Sequence, residues 1–167
     1  MKKLSATTFV LLGLLVSQPN ARPAGDRPPS ALLFYVFSAE DAAQRLGARQ
    51  LDQWNEDHGR PLWVMGLVQH QSDPAAMEQL RLQEGISFQL VCASLAQRSP
   101  GLPAELRGQF DSAAGFVLLV DAKGSAAASG AGAELNQVLE RAALLLGSQV
   151  STEVDESTWG KVKEIFK

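Results

Sequence analysis

A chain of 167 residues has the length of one domain and can bury a core without disulfide or metal staples. Its 46% hydrophobic and 20% charged residues argue against disorder along its whole length. A net charge of −3 and a pI near 5.4 repel phosphate backbones and anionic lipid, which excludes nucleic acid as the expected partner.

Lys2 and Lys3 precede an apolar run over residues 9–16 (FVLLGLLV) and a polar stretch over residues 17–21 (SQPNA). A basic start, a short apolar middle and a small residue at the end predict an export signal over residues 1–21. Eight apolar residues are too few for a membrane-crossing helix, which takes about 20. A retained anchor or a buried N-terminal helix is the alternative. Loss of the two lysines with the signal leaves 13 basic against 18 acidic residues, a net −5. Residues 22–30 (RPAGDRPPS) predict a disordered leader. The expected product is an exported, periplasmic protein with no integral span after cleavage.

Residues 31–37 (ALLFYVF) are continuously apolar, as in a strand buried on both faces. Ser38 is the expected N-cap of a helix over residues 39–57, with Glu40 and Asp41 in its first turn and Ala43, Leu46, Gln50, Leu51 and Trp54 on its inner face. Pro61 ends helical possibilities, and residues 62–68 (LWVMGLV) form the second strand. Asp73-Pro74 opens a helix with Met77, Leu80 and Leu82 as its apolar side, closed by Gly85. Residues 86–93 (ISFQLVCA) are the third strand, and a loop with a short helical piece at 104–110 follows. Residues 116–120 (FVLLV), a turn over 121–124 (DAKG) and an edge strand at 125–129 predict a hairpin. A last helix over residues 134–146 carries Leu135, Val138, Leu139, Ala142 and Leu146 on one face. Strands alternating with helices and closing on a hairpin predict an α/β three-layer sandwich, mixed and mostly parallel, with an antiparallel edge.

That order, with residues 34–35 (FY) ending a strand, LWVMGLVQ, Gly85-Ile86-Ser87-Phe88 and FVLLVDAKG, resembles the thioredoxin-like superfamily, in particular its exported TlpA/ResA and redoxin branch. The likeness covers residues 31–147, taken as the domain. The family carries CxxC at the start of its first helix, where the helix N-terminus favours a thiolate. Here that segment is Ser38-Ala39-Glu40-Asp41-Ala42, with Ala39 and Ala42 at the cysteine positions. The family's cis-proline, which helps present the substrate backbone, corresponds to the neighbourhood of Gly115, without a proline. The resemblance therefore implies the fold but neither dithiol oxidoreductase nor peroxidase chemistry. No catalytic residue, cofactor or metal is expected.

Cys92 is the sole cysteine and lies in a strand-like run, where it acts as a small hydrophobe; mixed disulfides through it are the alternative function. His58 and His70, the two histidines, lack cysteine partners for a copper site. Ser38, Ser87 and Ser94 have no G-x-S-x-G context. Glu40 and Asp41, neighbours on a helix, point apart and suit capping better than acid–base work. In the tail over residues 148–167, residues 151–157 (STEVDES) link to Trp159, Val162, Ile165 and Phe166 at helical spacing, with Lys161, Lys163 and Lys167. That amphipathic tail either packs on the domain or docks on a protein. The expectation is a redox-inactive binding or scaffold module with a protein partner. Its binding surface comprises Ala39, Glu40, Asp41, Ala42 and Gly115, joined by Trp159, Val162, Ile165 and Phe166.

Overall fold

The computed structural model describes residues 31–99 and 102–150. The elements in chain order are β1 (Ala31–Ser38), α1 (Ala42–Asp57), β2 (Leu62–Gln69), α2 (Pro74–Glu84), β3 (Gln89–Cys92), α3 (Ala93–Ala96), β4 (Phe116–Asp121), β5 (Ala126–Ala131) and α4 (Leu135–Val150). Single 3-10 turns sit at Ala104–Leu106 and Gly132–Glu134. One five-stranded sheet runs in the order β3-β2-β1-β4-β5. β1 pairs in parallel with β2, and β2 with β3; β4 is antiparallel to both β1 and β5. Four strands thus point one way and β4 opposes them, in the expected mixed α/β layout.

Two apolar layers explain the unbroken hydrophobic runs of β1 and β2. Alternate residues Leu33, Tyr35 and Phe37 join Val64, Val68 and Val117 under Ala48 and Leu51 of α1, Met77 of α2 and Val138, Leu139 and Ala142 of α4. The intervening residues Phe34 and Val36 join Met65, Leu67 and Leu118 under Ala93, Leu102, Leu106 and Phe110 on the other face. Leu33 through Phe37 are each at most 1% exposed. A strand flanked on both sides and covered on both faces has no polar position to offer.

Four expectations need correction. α1 starts at Ala42 rather than Ala39, because Asp41 and not Ser38 is its cap. Its inner face is rotated by about one residue: Gln44, Gly47, Ala48, Leu51 and Asn55 are buried, while Ala43, Leu46 and Gln50 are exposed. The polar members of this face are offset by hydrogen bonds, Asn55 exchanging two with the backbone of Leu62 and Asp52 accepting from the Ser87 amide and hydroxyl. Leu82 is 66% exposed, not part of the α2 core side. β3 is four residues, not eight, since residues 86–88 approach the core before sheet pairing begins, with Ile86 and Phe88 buried. Arg45 and Arg49 of α1 both reach Glu84 of α2, at 2.8 and 3.0 Å, and fix these helices on the same face.

Candidate functional site

The C-terminal end of β1 lies between parallel β2 on one side and antiparallel β4 on the other. This reversal of strand order is where open α/β sheets hold their sites. The chain leaves β1 at Ser38 and turns through Ala39 and Glu40. Ser38 Oγ accepts from the Glu40 amide at 3.2 Å, which closes the turn. Asp41 Oδ1 then accepts from the amides of Ala43 and Gln44 at 2.8 and 3.2 Å. A carboxylate at this position satisfies two orphan donors and opposes the positive end of the helix dipole. Ala39 and Glu40 are therefore outside the helix, and Ala42 is its first residue.

The consequence for chemistry is direct. The amides that would favour an anionic sulfur at residue 39 or 42 already hold an anion, Asp41. Glu40 adds a second carboxylate beside them. The segment is also clamped from below, as the Arg45 guanidinium donates to the Ala39 carbonyl at 2.6 Å while held by Glu84.

Gln44 does most to shape the site, and hydrophobic patterning does not single it out. Its side chain is 8% exposed and makes three hydrogen bonds. Oε1 accepts from the Ser38 amide at 2.8 Å; Nε2 donates to Asp41 Oδ2 at 3.0 Å and to the Ala113 carbonyl at 2.9 Å. The amide thus joins the end of β1, the cap of α1 and the loop before β4. Tyr35 supports it from inside, donating from its buried hydroxyl to the Gln44 carbonyl at 3.1 Å. Burial, and then the nearby Asp41 charge, push the Tyr35 phenol up to about 12. A capping-box spacing, Asp41-x-x-Gln44, is the signal in the sequence that could have found this residue.

The loop opposite is held from three sides. Gln69 Nε2 donates to the Phe110 and Ser112 carbonyls at 2.7 and 2.9 Å, Gln44 takes the Ala113 carbonyl, and the Gly132 amide takes that of Ala114 at 3.1 Å. Gly115 has φ +66°, and a Cβ there would stand 2.8 Å from the Val36 carbonyl and 3.1 Å from Gln44 Oε1. Only glycine allows this approach. Of the expected surface residues, the Gln44 amide therefore bonds Asp41 and stands beside Gly115, while Ala39 and Glu40 form the turn before α1 and Ala42 is its first residue. Trp159, Val162, Ile165 and Phe166 lie outside the described residues.

Cys92 lies two strands away at the end of β3 and is 2% exposed. His58 stacks on Trp54 at the end of α1, and His70 follows β2 with φ +54°. Among the described residues no three His, Cys, Asp or Glu side chains cluster as a metal site, and no helix is long and apolar enough to cross a membrane.

No family model matches the sequence, and no curated protein matches it. Solved structures do. The crystal structure of StoA from Bacillus subtilis superposes with a TM-score of 0.52 at 10% identity, over 70% of this chain and 85% of that one. The fold is thioredoxin-like. The thioredoxin domain of a thiol-disulfide oxidoreductase from Bacteroides vulgatus gives 0.50 at 14% identity, over 68% and 79% of the two chains. At such identities the likeness carries the fold, and the activity has to be argued from the site. The thioredoxin-like fold here has one cysteine and no CxxC pair.

Proposed function

We propose that this chain is a redox-inactive thioredoxin-like binding module, exported to the cell envelope, that holds a protein partner at the surface formed by Ala39, Glu40, Asp41, Ala42 and Gly115. The observation that carries this reading is the Gln44 amide. It bonds the helix cap and the opposing loop together where the resembled enzymes carry out thiol exchange. Dithiol exchange needs a low-pKa thiolate at the helix start and a loop free to pair with substrate. Here the helix start carries a carboxylate, and the Ala113 and Ala114 carbonyls are engaged internally. The rigid, acidic surface that results suits recognition. Export rests on the pattern of residues 1–21, and the tail over residues 148–167, with Trp159, Val162, Ile165 and Phe166, supplies a second docking element in this reading.

Insulin reduction with a dithiol reductant tests the redox half. The expected rate is that of the reductant alone; turnover that disappears in Cys92→Ser would establish mixed-disulfide chemistry instead. Affinity capture from the native envelope tests the binding half. The partner set should be lost with Glu40→Lys and Ala42→Arg together, and an unchanged set in that variant moves the binding surface elsewhere.

A further inference from the structure

A hollow of about 280 Å³ lies at the carboxyl ends of β2 and β3, apart from the surface of residues 39–42 and 115. Residues 70–72 reach it from the end of β2, residues 93–97 from α3, and Phe110 and Asp111 from the loop before β4. Open α/β sheets hold ligands outside this end of their parallel strands. Ala93 and Phe110, each 3% exposed, give the hollow an apolar floor. The rest of the lining is polar: His70, Gln71, Ser72, Ser94, Gln97 and Asp111. Among the described residues, none of these six side chains is bonded to another side chain or to the backbone. The amides of Gln44 and Gln69, which shape the neighbouring loop, are by contrast engaged with it.

Two features hold this lining in place ahead of any ligand. Buried Gln69 donates to the Phe110 and Ser112 carbonyls at 2.7 and 2.9 Å, and so grips the chain on both sides of Asp111. The next residue, His70, has a left-handed backbone, φ +54°, and an exposed ring. That conformation costs a non-glycine residue free energy, and no burial of the ring offsets it. One buried residue thus steadies the backbone that brings both an imidazole and a carboxylate to the hollow.

We infer that this hollow binds a small neutral polyhydroxyl ligand, a single sugar ring in size. The chemistry of the lining selects the class. No Lys or Arg lines it, so a phosphate or carboxylate would meet no counter-charge. One carboxylate and one imidazole fall short of a metal site. Serine hydroxyls, glutamine amides and an imidazole each donate and accept. Ring hydroxyls do both as well, and the Asp111 carboxylate can accept from two adjacent ones. The volume sits at the small end of ligand pockets, which admits one ring and not a chain of them.

Titration calorimetry of the full chain tests the inference, with glucose, galactose and N-acetylglucosamine as neutral probes. Glucosamine and glucose 6-phosphate present the glucose ring with a positive and a negative charge. At least one neutral probe should bind saturably at one site. Asp111→Asn and Gln97→Leu should each weaken that binding by about tenfold. Ser94→Phe, which fills the hollow and leaves Asp111 in place, should abolish it. Lys123→Gln, in the turn beside the start of β1 at the opposite end of the sheet, should leave it within about twofold. Thermal midpoints report that each variant is folded. No saturable binding of a neutral probe overturns the inference. So does binding confined to glucosamine or glucose 6-phosphate, or binding that ignores Asp111, Gln97 and Ser94.

Discussion

Replacing Gln44 with glutamate keeps the shape of the side chain and removes both of its donors. Oε1 can still accept from the Ser38 amide, but the second oxygen would face the Ala113 carbonyl and Asp41 Oδ2, acceptors now 2.9 and 3.0 Å from Nε2. Each buried bond turned into an unpaired contact costs about 1–3 kcal/mol, and like-charge repulsion from half-exposed Asp41 adds to it. The expected loss at neutral pH is about 4 kcal/mol. With an m-value of about 1.5 kcal/mol/M, the urea midpoint falls by about 2.5 M. The sign with pH is fixed by the same contacts. Neighbouring acceptors raise the pKa of the introduced carboxyl in the folded chain above its unfolded value of about 4.3. The neutral acid regains a donor, so the penalty is small below the unfolded pKa. It grows as pH rises from there through the folded pKa, and levels off above it. Urea unfolding of both chains at pH 4 and pH 7 measures it. A penalty below about 1 kcal/mol at pH 7, or an equal one at both pH values, would refute Gln44 as the tie between helix and loop.

Tyr35 is the only tyrosine, so tyrosinate absorbance reports its phenol alone; it should titrate near 12 in the folded chain. A raised folded pKa means the unfolded chain ionises first, so stability should fall by about 2 kcal/mol between pH 10 and 12, and Tyr35→Phe should abolish that slope in unfolding measurements. The double variant Ala39→Cys, Ala42→Cys should reduce insulin no faster than the parent chain, because Asp41 still holds the helix-start amides; a rate well above that background contradicts the electrostatic argument. Gly47→Ala places a methyl against the Tyr35 hydroxyl, and the expected cost is about 1–2 kcal/mol, overpacking outweighing the gain in helix propensity. A stabilised Gly47→Ala chain in thermal melts would show that Tyr35 can move aside.

The strands were legible because burial on both faces leaves no choice of residue: residues 31–37 and 62–68 could only be central, and the structure puts them there. The last helix was legible for a related reason, since Leu135, Val138, Leu139 and Ala142 repeat without ambiguity. α1 was not. Its buried stripe includes Gln44, Asp52 and Asn55, so hydrophobic periodicity selects a face one residue off, and exposed Leu46 strengthens the wrong choice. These polar residues are buried because each meets a backbone group that pattern counting cannot see: the Ser38 amide and Ala113 carbonyl, the Ser87 amide, the Leu62 peptide.

The same blindness hid Gln44, the residue that ties the candidate site together. A missing CxxC is visible as two alanines, whereas what replaces its function is a contact between residues 44 and 113, 69 positions apart. Sequence alone therefore marks Ala39, Ala42 and Gly115 as replacements of redox-site parts but not the contact that joins them. In the structure Asp41 neutralises the helix end, Gln44 ties the helix to the loop, and Gly115 admits the close approach that makes the tie possible. Placing cysteines at residues 39 and 42 changes none of these three contacts. In the proposed reading they replace the charge environment and the open loop on which thiol exchange depends, and the acidic surface they leave is the one a partner would recognise.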